Sequence, residues 1–396
     1  MSMRSDAAAL QGDLAELRRD LHRIPEIGLD LPRTQERVLT ALHPLPLEVS
    51  TGSGLSSITA VLRGGHPGPV VLLRGDMDAL PVTESAGEAF TSTNTGAMHA
   101  CGHDLHTAGL IGAAQLLAAR RGELAGDVVF MFQPGEEGFD GAKYMIEEGV
   151  LEAAGRSVDR AYGLHVLSSI LPRGMFATKP GPLMAASDGL FVRVIGAGGH
   201  GSRPYAALDP VPAAAEMVTA LQTMVTRRFD VFDPVVITVG VLQAGTRRNI
   251  IPDEAYFEAT VRTFSPSVRE QVGAYAVQVC ESIAAAYGLR VEARYEQEYP
   301  VTVNNAAEHD FTAETIRNVF GEQRFLALPT PVTGSEDFSR VLDRVPGCYL
   351  FLGACPSDDP TNAPSNHSPR AVFDDSVLSD GAALLAELAV RRLTPA

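Results

Sequence analysis

The chain has 396 residues, 45% of them hydrophobic, with 37 glycines, 26 prolines and a formal charge of −16. Its length exceeds what one hydrophobic core serves, so two domains are expected, and the acidic balance argues against a nucleic-acid partner, whose phosphates call for a basic surface. The opening Met-Ser-Met-Arg-Ser-Asp has no apolar leader and no run of about eighteen apolar residues occurs, which points to a cytoplasmic protein without membrane association.

Leu10, Leu14, Leu17 and Leu21 mark one face of a helix that stops before Pro25, with His22 at its end as a cation on the helix dipole. A second helix is expected over 34–42, then buried strands over 58–62 and 70–73. Asp76 and Asp78 follow, alternating about Met77. They read either as turn caps or as carboxylates facing whatever lies at the strand's carboxyl end. Between 98 and 112 the run Met-His-Ala-Cys-Gly-His-Asp-Leu-His-Thr-Ala-Gly-Leu-Ile-Gly holds four metal-ligand types: Cys101, His103, Asp104 and His106. Any one alone reads as packing or capping, but their density points to half of a metal site, with Gly102 permitting the bend that lets its neighbours converge. The other cysteines, Cys280, Cys348 and Cys355, are too scattered for a disulfide framework.

A helix over 105–119 leads to an apolar strand over 127–133, which delivers Gln133-Pro-Gly-Glu-Glu-Gly. Adjacent carboxylates after a buried strand are costly unless paired, hydrogen-bonded or bound to a cation; Glu136 and Glu137 read either as a solvated charged loop or as a pair of which one ligates a metal while its neighbour addresses a metal-bound water. His165 lies within the next apolar strand, over 161–167.

From about Leu183 the pattern changes. Strands over 189–195, 235–241, 255–263 and 289–295 and helices over 210–228 and 266–287 give the order βαββαβ, a ferredoxin-like α+β block inserted into the first domain. The expected division is 1–183, 184–298 and 299–396. Within the insert, a glycine-rich loop carries His200, the loop 245–253 carries Arg247, Arg248 and Asn249, and a strand carries Arg262. Glu336, Asp337 and His367 follow in polar loops.

Gly75-Asp-Met-Asp-Ala-Leu-Pro, Met98-His-Ala-Cys-Gly-His-Asp, Gln133-Pro-Gly-Glu-Glu-Gly, Gly199-His-Gly-Ser and Asn249-Ile-Ile-Pro-Asp, in that order, resemble the co-catalytic metallopeptidases that include aminoacylase and carboxypeptidase G. The likeness is greatest to the amidohydrolase branch of hippurate hydrolase and the indoleacetyl-amino-acid hydrolases. The resemblance implies a zinc-exopeptidase-like α/β catalytic domain and a lid that also dimerises. It implies two divalent ions, zinc, manganese, cobalt or nickel, held by Cys101, His103, Glu137, His165 and His367, with Cys101 bridging. It further implies Glu136 as general base, Asp78 orienting a ligand, His200 reaching the partner's site in a homodimer, and Asn249 and Arg262 holding a substrate carboxylate.

The expected reaction is hydrolysis of N-acyl amino acids to a carboxylic acid and a free amino acid by a metal-activated water. A dipeptidase or carboxypeptidase of the same family is the alternative within this class. A metal-binding regulatory protein without catalysis is the rival of another class, and Glu136 speaks against it.

Overall fold

A computed structural model describes residues 2–394. They form two compact units, one from 2–183, 303–330 and 337–394, the other from 184–302 with 331–336.

The first unit is built on an eight-stranded sheet in the order Glu48–Thr51, Ile58–Leu62, Ala125–Gln133, His66–Asp76, Arg160–Leu167, Gly347–Gly353, Phe176–Thr178, Phe325–Ala327. The four strands in the middle, from Ala125–Gln133 to Gly347–Gly353, run parallel. Their apolar runs, Val70 to Leu73 and Val128 to Phe132, are fully buried, as strands covered on both faces must be. Helices Met3–His22, His103–Ala118 and Leu378–Leu393 pack on one another and on this sheet. Leu14, Leu17 and Leu21 supply the buried face of the first helix, which begins earlier than the leucine spacing indicated because Ser2 caps it. Several elements were not assigned from pattern, among them the strands and helices after 299, and two of these show why. The edge strand Glu48–Thr51 is exposed throughout, and the helix Gly141–Glu147 is too short to display a period.

The second unit is a four-stranded antiparallel sheet in the order Val236–Ala244, Glu254–Thr263, Ala186–Ile195, Arg290–Tyr299. In chain order these are its second, third, first and fourth strands, the ferredoxin-like arrangement. Asp209 caps helix Pro210–Arg228 by accepting from the Val211 N–H, and Ser265 caps Pro266–Ala286 through the Val268 N–H. Both helices pack over Leu190, Val192, Val194, Phe257 and Val261. The unit extends beyond the expected 298: its last strand continues to Tyr299, and Pro331–Glu336 returns to it where the Ala185 N–H meets the Val332 and Gly334 carbonyls at 3.1 and 2.9 Å. Among the described residues, no helix is long and apolar enough to cross a membrane.

His22 is not a solvated helix-end cation. It is buried, with Nδ1 2.8 Å from Asp104 and Nε2 3.3 Å from Glu84, and Arg18 lies 2.7 Å from the same Asp104 oxygen. Burial favours a neutral Asp104, but Arg18 and His22 outweigh it and hold the carboxyl well below its usual range; burial likewise opposes the His22 cation, and Asp104 raises it nonetheless. A depressed folded pKa contributes stability that is present above the unfolded value, about 3.9, and is lost as pH falls through the folded one. The His22 contribution has the opposite sign and is lost as pH rises through its raised value. Asp104→Asn is therefore expected to destabilise the protein by ~3 kcal/mol at pH 6, the scale for removing one partner of a buried pair. The difference should shrink below about pH 4. Urea midpoints at pH 6 and pH 3 measure this, and an equal difference at both would contradict it.

Candidate metal centre

The donors of the centre gather at the carboxyl ends of the parallel strands and in the helix turn beside them, as that arrangement favours. Asp78 follows His66–Asp76, the pair Glu136 and Glu137 follows Ala125–Gln133, and His165 is near the end of Arg160–Leu167. His367 lies in the loop beyond Gly347–Gly353. Cys101 and His103 flank Gly102, whose φ of +84° turns the chain into helix His103–Ala118. A Cβ there would lie 2.4 Å from Val166 Cγ2, so glycine is required both for its conformation and for its space.

Cys101 Sγ lies 3.4 Å from His165 Nε2 and 3.2 Å from His367 Nε2. Glu137 Oε1 is 3.3 Å from His367 Nε2 and 3.9 Å from His103 Nε2. Among the described residues donor atoms converge within 4.8 Å in five groups, three of which combine the expected ligands: Cys101, His103 and His165; Cys101, Glu137 and His367; and His103, Glu136 and Glu137; the others are Asp76, His103 and His106, and Glu136, Glu336 and Asp337. Of the buried atoms in these groups, His103 Nε2 has no hydrogen bond among the described residues and Glu137 Oε1 only the ion pairs with His367 and His103. Such buried donor atoms facing one neighbourhood fit a cation between them.

The imidazoles are pre-set for ligation. His103 Nδ1 donates to the Asp78 carbonyl at 2.9 Å and His165 Nδ1 to the Val166 carbonyl at 2.8 Å, which leaves both Nε2 lone pairs pointing inward. Asp78 accepts the Glu136 N–H on one carboxylate oxygen and the Glu137 N–H on the other, each at 3.0 Å. Burial, then His106, push His165 well below its usual value, so it is neutral. Cys101, then Glu137, raise His367 to about 10; in turn His367 and His103 overcome burial to lower Glu137. The Cys101 sulfur and the Glu137 carboxylate thus favour positive charge between them.

Two of the four ligand types in the 98–112 run are committed elsewhere. His106 donates from Nδ1 to Asp76 at 2.5 Å and accepts the Val166 N–H on Nε2 at 2.8 Å, while Asp104 holds Arg18 and His22. Asp76 lies 2.5 Å from Arg74, which is fully buried and 3.1 Å from Asp337. Gln133 donates to both Asp337 oxygens, closing a buried network behind the centre. Sequence reasoning gave Arg74 no role and left Asp337 unassigned, since neither signals its partner locally. It also passed over Asn366, which directly precedes His367.

In the second unit, His200 and Asn249 are neighbours: Ile250 pairs with His200, and the Gly201 N–H meets the Asn249 carbonyl at 2.9 Å. His200 is exposed, its Nδ1 2.8 Å from Ser202 Oγ. Arg262 is not with them. It pairs in register with Ser187, at the end where the chain enters and leaves the unit, whereas Glu254 pairs with Ile195 at the other. From Ala255 to Arg262 the strand runs roughly 24 Å at ~3.4 Å per residue. Arg262 Nη1 is held by Thr260 Oγ1 at 2.6 Å, Ser187 Oγ at 2.9 Å and the Val261 carbonyl at 3.2 Å.

The profile of peptidase family M20/M25/M40 matches residues 72–391. Thermostable carboxypeptidase 2 of Saccharolobus solfataricus is 37% identical over 98% of both chains, and an N-acetylcysteine deacetylase of Bacillus subtilis is 36% identical over 95% of this chain and 96% of its own. The crystal structure of a Bacillus subtilis protein described as a dinuclear metal binding peptidase from the M20 family superposes with a TM-score of 0.82 at 33% identity, covering 98% of this chain and 99% of that one. With its converging donors and this likeness along nearly its whole length, the chain belongs to peptidase family M20/M25/M40 and is a hydrolase of amide bonds.

Proposed function

We propose that the chain hydrolyses N-acyl amino acids, releasing a carboxylic acid and a free amino acid. The observation that carries this reading is the pair of donor groups sharing Cys101, with Glu136 beside them. Cys101, His103 and His165 would hold one divalent ion and Cys101, Glu137 and His367 the other. Bound there, the ions supply Lewis acidity to a water and to the amide carbonyl. Glu136 takes the proton from the attacking water and passes it to the leaving amine. Asp78 fixes the peptide that carries both glutamates and so keeps their two roles apart. Thiolate and imidazole donors suit zinc, cobalt or nickel and tolerate manganese.

Arg262, with its guanidinium held at one edge, suits a bidentate grip on the substrate's free α-carboxylate. Because Arg262 lies at one end of the four-stranded sheet and the His200–Asn249 pair belongs to the two-stranded ribbon beyond the other, one substrate reaches both only in a homodimer, in which His200 of the partner subunit hydrogen-bonds the oxyanion. The edge strand Val236–Ala244 offers a self-complementary contact, pairing on one side only and exposing Val236 and Leu242. A carboxypeptidase is the second reading, supported by the relative of that name. Its substrate presents the same free carboxylate, so assays with N-acetyl and N-benzoyl amino acids against peptides with free C-termini distinguish the two.

Removing metal with a chelator is expected to abolish hydrolysis, and Zn²⁺, Mn²⁺ or Co²⁺ to restore it; full activity at verified zero metal content would rule out this centre. Glu136→Gln should retain metal and fold but lose at least ~10²-fold in kcat, while Glu137→Gln should lose metal. Metal analysis of both variants reads this, and a reversed outcome exchanges the roles.

A mixed dimer tests the shared site. In a dimer of one Glu136→Gln chain and one His200→Ala chain, one site carries both lesions and the other carries neither. Random exchange of equal amounts makes half the dimers mixed, so about a quarter of wild-type activity should emerge from two inactive parents. No recovery on mixing, or a monomer by sedimentation, contradicts the shared site.

A further inference from the structure

The loop that supplies His367 is fastened to the centre by the residue before it. The Asn366 carboxamide offers two donors and one acceptor oxygen, and all are engaged. Its Nδ2 donates to the Val166 carbonyl at 3.0 Å and the Cys101 carbonyl at 3.2 Å, and lies 3.8 Å from Cys101 Sγ. Its Oδ1 accepts the Ser168 N–H at 2.9 Å, with Ser168 Oγ at 3.0 Å. One residue on, the His367 N–H meets the Ala100 carbonyl at 2.8 Å. His367 and Asn366 therefore hold two successive carbonyls of the Cys101 segment, those of Ala100 and Cys101. His367 has φ of +70°, a conformation that residues with a Cβ rarely adopt, and these bonds hold it there.

The carbonyl of Val166 matters twice. It accepts from Asn366 Nδ2 and also from His165 Nδ1, the bond that keeps the proton off His165 Nε2. One carboxamide thus reaches three donor-bearing segments: Cys101 directly, His165 through a shared carbonyl, and His367 through the peptide chain. Aspartate has the same shape but no donor. It would set carboxylate oxygen against two carbonyls and a thiolate.

We propose that Asn366 is a positioning residue of the metal centre, whose carboxamide holds Cys101, His165 and His367 in the one arrangement that lets the thiolate serve both donor groups. This rests on the two-ion reading above, so the test separates the two.

Cobalt(II) is titrated into metal-free wild type, Asn366→Asp, Asn366→Ala and the control Asn362→Asp, which alters an exposed carboxamide of the same loop. Affinity is read by competition with a chelator, thiolate ligation by the sulfur-to-cobalt absorption per bound ion, and fold by the melting temperature of the metal-free protein. Asn366→Asp is expected to bind cobalt ~10–100-fold more weakly and with a diminished sulfur-to-cobalt band, the scale on which residues behind ligands act. Asn366→Ala, which removes the donors without adding charge, should shift both readings the same way by less, and serves alone if the aspartate variant does not fold. Asn362→Asp should match wild type. Unchanged affinity and band in both Asn366 variants overturn the positioning role, as does a loss of affinity matched by an equal loss of metal-free stability. A wild-type protein that binds no cobalt, or shows no sulfur-to-cobalt band, overturns the metal reading instead.

Discussion

Asp78 is the residue through which two separate strand ends become one centre. Its carboxylate accepts the N–H groups of Glu136 and Glu137, and its backbone carbonyl takes the Nδ1 proton of His103. A carboxylate buried without such donors would cost several kcal/mol, so the geometry and the burial of Asp78 stand or fall together. Shift the 133–138 turn and Asp78 loses both partners at once. Move Asp78, and the two glutamates lose their fixed peptide while His103 loses the bond that sets its tautomer.

Behind this lies a concentration of buried acidic side chains. Asp76, Asp78 and Glu136 are buried with Cys101 around the centre, and Glu137 is half-buried beside them. Arg74 is placed between Asp76 and Asp337 and neutralises part of this acidity from behind. The remainder falls on the imidazoles: Asp76, Asp78 and Cys101 overcome burial to raise His103 well above its ordinary value, and His367 is raised to about 10. Protons and metal ions are alternative occupants of the same anionic space, and ligation requires the protons to leave. The overall charge of −16 has its local counterpart here, in a site that only cations can complete.

The elements whose character is set within a few residues were legible in the sequence. Cys-Gly-His announces a tight left-handed turn, Asp209-Pro210 and Ser265-Pro266 announce helix starts, and Val128 to Phe132 announces a fully covered strand. Partnerships across the chain were not. Cys101, His103, Asp104 and His106 are equivalent as letters, yet Arg18 and His22, some eighty residues earlier, claim Asp104, and Asp76 and Val166 claim His106. Which face of a first helical turn looks toward the centre depends on how that helix sits on its sheet, and nothing local encodes it. Asn366 was hidden for the same reason, its four bonds all going to segments roughly 200 residues or more away.

Asn249 and Arg262 show how far apart neighbours in sequence can lie in an antiparallel sheet. They are close in the chain, and the resemblance assigns both to the substrate carboxylate. The chain from one to the other passes Asp253 and then runs straight along Glu254–Thr263, so thirteen residues become nearly the full length of the sheet. Register fixes that separation rigidly, because slipping the strand by one residue would turn Phe257 and Val261 out of the core. The core of the insert therefore keeps the two ends that carry the proposed substrate residues apart. His200 and Asn249 go with the hairpin end and Arg262 with the end near the chain crossings, and a substrate as small as an N-acyl amino acid cannot span ~24 Å. Either one end is idle in hydrolysis, or the ends of two copies meet, and the proposed homodimer is the arrangement that leaves neither idle.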